Sequence, residues 1–360
     1  MCGVMTIELN DRQKQVLGAT INHYIATAEP VGSKAIATEY NLKVSPATVR
    51  NIMLLLERSG LLYQPHTSAG RVPSDSGYRL YVDELVQPIP DVAQKAESLL
   101  AEQFLWGRYR LEVILRQAAQ LLSDLSGYIT LISLPNSLER RIRLIQLVAL
   151  DAQQVMVILV LDSYETQSAV ISLPSEPQEI DLRDRTLQVL TNFLNHQLRG
   201  RSLVDLTLID WQQLDLDFQD YGQNLQSLFQ QLSQRYAQEG TSLVVSGLAD
   251  VLQQPEFSQV EQVQMLLHLL EDQQDQLTPL ISPDHTASSQ VQIRIGTENA
   301  LAPMHCCTLV YSCYCCRNAP VGTIGILGPT RMSYARIIPL VATAADYLSE
   351  QVSRSYAVSG

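Results

Sequence analysis

Charge and aromatic rings are scarce in this chain: charged residues make up 17% of its 360 residues and aromatics 6%, against 46% hydrophobic. So apolar a balance excludes an intrinsically disordered chain. At this length it implies two or three separate cores. Long hydrophobic runs are missing. The longest purely apolar stretch, VMVILVL at 155–161, ends at Asp162 and is far too short to cross a bilayer. The opening MCGVMTIELN has neither a basic segment nor a long apolar one, so no signal peptide and a cytoplasmic location are expected. The glycines Gly322, Gly325 and Gly328 match neither a Walker loop nor G-x-G-x-x-G, and suit a last strand turning into a helix. Six scattered histidines offer no nucleophile–base pairing, so no enzyme is expected.

Cysteine is rare outside one stretch: five of the six lie within 306–316. Their spacing, CC-x5-C-x-CC, lacks the paired C-x2-C knuckles of structural zinc. The run reads as small apolar residues in a strand, with no metal and no cofactor expected. The competing reading is an effector- or redox-sensing role that uses either a sheet domain or this cysteine run, Cys306 to Cys316.

What is present is uneven. The net charge is −12, yet residues 1–90 hold eight basic and eight acidic residues, so the whole deficit falls in 91–360. Within 33–79 six basic residues face three acidic ones. A mildly positive segment on an acidic body suits salt-dependent attraction to phosphate with little non-specific adhesion.

Residues 45–79, SPATVRNIMLLLERSGLLYQPHTSAGRVPSDSGYR, carry most of the information. Before them, Leu17, Ile21, Tyr24 and Ile25 form a helical stripe over 10–28, with Asn10 or Asp11 as N-cap and Pro30 and Gly32 as stops. Ser33 is a possible cap for a short helix over 34–40. Ser45 is expected to cap a third helix with Pro46 at its first position. Val49, Met53 and Leu56 then face inward, and Thr48, Arg50, Asn51 and Arg58 outward. Gly60 ends the helix, 61–64 reads as a strand, 65–70 as a polar tip, and Arg71-Val72 as the return, with Ser74 capping a further helix. A helix followed by a two-stranded ribbon suits duplex DNA: the helix enters the major groove while the tip reaches the backbone.

The candidate DNA-contacting residues are Lys34, Ser45, Thr48, Arg50, Asn51, His66, Thr67, Ser68 and Arg71. Arg can pair bidentately with guanine and Asn with adenine. Ser45 and Thr48 stand at a helix start, where hydroxyls and N–H groups hold phosphate, although plain capping explains Ser45 as well. His66, Thr67, Ser68 and Arg71 belong to the expected wing tip, for backbone or minor-groove contact.

Further on, 91–125 forms one long helical pattern, a connector. Strand-like runs follow at 128–134, 142–150, 155–161 and 167–173, with 151–154 as a turn. The pattern turns helical over 180–238, with a short strand at 243–245 and a helix over 259–277. Strands return at 291–295, 308–315 and 321–327, before a final helix over 333–352. Strands, helices, then strands again imply an α+β, multidomain chain whose sheet domain is interrupted by a mainly helical insertion.

The chain resembles the heat-inducible transcription repressors of the HrcA family over nearly its whole length. The resemblance rests on EPVGSKAIATEYNLKVSPATVRNIMLLLERSGLL (29–62), QPHTSAGRVPSDSGYRLYVDEL (64–85), IGTEN (295–299) and VGTIGILGPTRMSYARIIPLV (321–341). It implies a winged helix-turn-helix at 1–88, a connector at 91–125, and a GAF-like domain in two parts, 126–179 and 259–360. It also implies a dimerisation domain inserted at 180–258. Such proteins repress chaperone operons as homodimers on an inverted-repeat operator, the CIRCE element, and a GroEL-type chaperonin maintains their activity. Ile52 stands where an acidic residue is expected and Leu54 replaces a smaller one, implying either tighter packing or altered DNA contact. The cysteine run lies outside the family pattern.

Overall fold

Helix caps and apolar stripes set the N-terminal elements of the computed structural model. It describes residues 9–40, 42, 44–103, 111–134, 141–151, 154–161, 166–172, 180–202, 225–231, 243–251, 254–257, 260–281, 290–316 and 319–357. Helix α1 (Asp11–Thr27) starts with a capping box: the Asn10 side chain accepts from Gln13 N and the Gln13 side chain from Asn10 N, each at 2.9 Å. In α2 (Ser33–Glu39) the cap is Gly32, with Ser33 already inside the helix. Helix α3 (Pro46–Arg58) is capped by Ser45, whose Oγ accepts from Thr48 N at 3.2 Å. Its inward face, Val49, Ile52, Met53 and Leu56, is buried, as are Val16, Leu17 and Ile21 of α1 and Ile36 of α2. Each such side chain contributes roughly 1.5–3 kcal/mol. Strands β1 (Leu62–Tyr63) and β2 (Val72–Pro73) pair antiparallel, Leu62 opposite Pro73 and Tyr63 opposite Val72. Helix α4 (Asp75–Leu80) follows, capped by Ser74 and widening into a π turn over Tyr81–Leu85.

The expected single connector is two helices, α5 (Pro90–Gln103) and α6 (Leu111–Ser126); 104–110 lie outside the described residues. Strand β3 (Ile129–Ser133) comes next, then β4 (Ile142–Ala149), β5 (Gln154–Leu161), β6 (Thr166–Ser172) and helix α7 (Ile180–Leu198). In the turn before β5, Gln154 N donates to Asp151 Oδ1 at 2.8 Å; Ala152 and Gln153 lie outside the described residues. Beyond lie β7 (Leu243–Ser246), α8 (Leu248–Val251), α9 (Val260–Glu271) and α10 (Gln274–Ile281). The expected helix over 259–277 is broken at Asp272 and Gln273, whose N–H groups both donate to His268 O, at 2.9 and 3.1 Å. Strands β8 (Gln292–Ile295), β9 (Cys307–Cys316) and β10 (Ala319–Pro329) and helix α11 (Tyr334–Ala357) complete the chain.

By their contacts the residues form two compact units: Met1–Ser133 with Leu243–Ser349, and Leu134–Ser242 with Glu350–Gly360. The first contains the N-terminal helices, the wing and a five-stranded antiparallel sheet in the order β7-β3-β10-β9-β8. Leu266, Leu269, Leu270 and Leu277 of α9 and α10 are buried in one cluster with Leu131, Leu309 and Leu327 of the sheet. Gly322 and Gly328 of β10 are explained by aromatic packing. A Cβ on them would stand 2.3 Å from the Tyr314 ring and 2.8 Å from the Tyr128 ring respectively.

The second unit holds a separate sheet in the order β4-β5-β6, packed on α7 through Ile145, Leu147, Val157, Leu190 and Leu194. Helix α7 also covers the β4 edge: Asn195 Nδ2 donates to Ile145 O at 2.7 Å and Ile145 N to Asn195 Oδ1 at 2.9 Å. Contacts thus divide the chain at 134 and 243, whereas the insertion is expected at 180–258. Strands β4, β5 and β6 pair only with each other among the described residues and belong with α7. Among its described residues the second unit holds this sheet with α7; the helical pattern at 203–224 and 232–242 falls outside them.

Candidate nucleic-acid interface

The outer face of α3 presents Arg50, Asn51 and Arg58, all exposed. At the helix start the Ser45 and Thr48 hydroxyls lie 2.9 Å apart, and Ser45 is occupied as the cap. Lys34 is exposed in the first turn of α2. Ile52 does not share the outer face: it is 8% exposed and belongs to the helix core, whereas Leu54 is 36% exposed. Of the two implications drawn for these apolar residues, tighter packing therefore applies to Ile52.

The wing is a built loop. Ala69 N donates to His66 O at 2.8 Å, and the Gln64 side chain donates to Thr67 O and Ala69 O at 3.0 and 2.8 Å. These bonds hold His66, Thr67 and Ser68 exposed at the tip. Gly70 is required by a close approach, since a Cβ there would stand 2.4 Å from Val31 O.

Arg71 sits at the base of the wing and not at its tip. Its N–H and C=O pair with Val31 at 2.9 Å each, and its guanidinium donates to Glu57 Oε2 from Nε at 3.0 Å and from Nη2 at 2.8 Å. The Arg71 side chain is 15% exposed and Glu57 30%. Its cation is thus committed within the fold, a partnership that sequence spacing does not reveal. Gln64 was also missed, because an amide at a strand end carries no local signal for stapling a loop.

Helix α4 joins this reading head to the sheet. Asp75 Oδ2 accepts from Thr297 N and Oγ1 at 2.9 and 3.0 Å. Arg79 donates to Glu298 Oε1 from Nε at 2.8 Å, to Glu298 Oε2 and Ile293 O from Nη2, the latter at 2.6 Å, and to Asp83 at 3.3 Å. Burial works against the Glu298 carboxylate. Hydrogen bonds from Arg79 and from Ile295 N outweigh it, so the carboxyl is held below the ordinary range. Tyr78 and Tyr81 pack their rings against Tyr334, at 5.9 and 6.3 Å between centroids. Arg331 donates to Glu256, to Gln254 at 2.8 Å and to Ile25 O at 3.3 Å.

The cysteines are dispersed in exposure. Cys307 and Cys313 are buried, Cys306, Cys315 and Cys316 are half-buried, and none of these five is in a disulfide.

Residues 8–81 match the family model for the winged helix-turn-helix transcription repressor, HrcA DNA-binding domain, and 112–338 match that for the HrcA protein C-terminal domain. The chain is 80% identical to the heat-inducible transcription repressor HrcA of Thermosynechococcus vestitus, over 97% of this chain and 99% of that one.

The chain belongs to the HrcA family.

The HrcA repressor of a Cyanothece strain is 56% identical, covering 97% of this chain and 100% of its own. A crystal structure of a hypothetical protein shares the fold at a TM-score of 0.63 and 22% identity, covering 97% of this chain and 100% of that one. HrcA is a family of transcription repressors, not of enzymes, and the head built from α1–α4 and the wing is its DNA-binding winged helix. Three of the four stretches that carry the HrcA resemblance, 64–85, 295–299 and 321–341, meet at the seam of Asp75, Arg79, Glu298, Arg331 and Tyr334. No helix among the described residues is long and apolar enough to cross a membrane.

Proposed function

We propose that this protein represses heat-shock chaperone operons in the cytoplasm by binding, as a homodimer, an inverted-repeat operator of the CIRCE type, and that a GroEL-type chaperonin maintains its active form. The observation that carries this reading is the exposed pair Arg50 and Asn51 on α3, flanked by a stapled wing. In it, Arg50 and Asn51 read base edges, while Lys34, the helix start at Ser45 and Thr48, and the tip residues His66, Thr67 and Ser68 hold the backbone. Arg71 serves by fixing the wing. The five-stranded sheet with its helices is the GAF-like domain, and Leu134–Ser242 takes the role of the dimerising insertion. The outward face of β4–β6 supports dimerisation. Leu144, Val148 and Val170 stand exposed on it beside half-buried Met156, Ile158 and Val160.

Dimerisation has a physical motive, since one reading helix contacts few base pairs and a two-fold pair doubles the interface on a palindrome. Repression follows from occupancy, and stress acts by lowering the fraction of folded, binding-competent dimer. The test is a gel shift at stated salt with purified protein and an inverted-repeat duplex. Added chaperonin raises the bound fraction, while metal ions, small effectors and oxidant leave it unchanged. Binding that responds to an effector or oxidant and ignores chaperonin would establish the competing sensor reading.

A further inference from the structure

We propose that Asp75 and Arg79 are positioning residues for operator binding: they clamp the winged helix onto the 295–299 turn and so set the direction in which α3 is presented. The inference rests on the dimeric, inverted-repeat reading above.

The clamp is rigidly joined to the reading helix. Ser74 Oγ donates to Gly60 O at 2.5 Å and Ser74 N to Leu61 O at 3.1 Å, where α3 gives way to the wing. Gly77 lies so close to Leu61 that a Cβ would meet its carbonyl oxygen at 2.1 Å. Helix α4 therefore cannot shift without carrying α3 and the wing with it. One residue beyond this joint Asp75 meets Thr297, and one turn further Arg79 meets Glu298.

The receiving turn is shaped for the task. Gly296 has φ +51, and a Cβ there would stand 2.2 Å from Asp75 Oδ2, so only glycine admits the carboxylate. Glu298 is preorganised by Ile295 N at 2.9 Å before it accepts the fork of Arg79. Asn299 ties the same turn down, donating from Nδ2 to Gly296 O at 2.9 Å and to Cys307 O at 3.1 Å. A bidentate Arg–carboxylate pair fixes angle as well as distance, which a lysine does not.

Angle matters for paired half-sites. A helix of 13 residues is about 20 Å long. A tilt of about 10° displaces its far end by roughly 3 Å, close to the ~3.4 Å spacing of successive base pairs. A free head can find one half-site at any tilt. Two heads held on one dimer must both match the operator spacing, so loosening the clamp weakens binding to the pair and spares binding to the half.

The experiment compares the intact full-length protein with R79A, R79K and D75A. Each is titrated against an intact inverted repeat and against a duplex carrying one half-site, at one salt concentration. R79A, R79K and D75A are expected to lose about tenfold on the inverted repeat and under about twofold on the half-site. Equal loss on both duplexes, or no loss on either, overturns the proposal. Amide exchange gives a readout that needs no DNA: Thr297 N should lose protection in D75A and R79A while Arg71 N keeps it. Unchanged protection of Thr297 also overturns the clamp. Wild-type protein that binds the inverted repeat no better than the half-site, with the exchange result intact, defeats the dimeric reading and leaves the clamp standing.

Discussion

The pair of Arg71 and Glu57 separates two ways in which a wing arginine can serve DNA binding. If it contacts phosphate, its removal costs one released counterion. If it holds the wing, its removal costs position. Two donor contacts, at 3.0 and 2.8 Å, reach Glu57 Oε2 at 15% and 30% exposure. Fully exposed pairs contribute about 0.2–1 kcal/mol and charged hydrogen bonds about 1.5–3 kcal/mol. This half-buried pair falls between, so Arg71→Ala should cost about 1–2 kcal/mol, or a fall of about 2–8 °C in Tm for a unit of this size. Arg71→Ala, Glu57→Ala and the double variant form a cycle with an expected coupling near 1 kcal/mol in stability. In operator titrations over a salt series both single variants should weaken binding in parallel, with the slope of log K against log salt unchanged. A direct phosphate contact would reduce the slope by about one in Arg71→Ala. It would also leave Glu57→Ala binding as well as or better than wild type, because the guanidinium is freed. That pattern refutes the positional role.

Arg50→Ala and Asn51→Ala should each cost about 1–3 kcal/mol in operator binding and relax sequence preference, with the unfolding midpoint unchanged, as read by gel shift and thermal melting. Lys34→Ala should weaken all duplexes alike and lower the salt slope by about one. Ile52→Ala, at 8% exposure, should destabilise the protein by about 2–4 kcal/mol in denaturant titration. Glu298, held below its ordinary value of 4.5, adds stability that is complete above that value and is lost as pH falls through the lower folded-state value. Glu298→Gln should therefore flatten the fall of the denaturation midpoint as pH drops below about 4.5.

Much of the winged helix was legible because its signals are local. The α1 cap, narrowed to Asn10 or Asp11, the Ser45 and Ser74 caps and the inward set Val49, Met53 and Leu56 depend on residues within one or two turns. The same reasoning placed Arg50 and Asn51 outside. It failed to tell which strands share a sheet, since β4 and β5 alternate as any half-buried strand does and only pairing assigns them to α7's unit. The helix end at 271 was missed because an apolar stripe can run on past the point where the helical hydrogen bonding stops.

By itself the sequence determined the helix–wing order, the outward face of α3 and the polar tip, because capping and periodicity act over a few residues. Tertiary structure alone decided that Arg71 is spent on Glu57, 14 residues away, and that Arg79 reaches Glu298 across 219 residues. A charge in the sequence shows what a side chain can pair with. Only the folded backbone brings a particular partner within 3 Å and excludes the others.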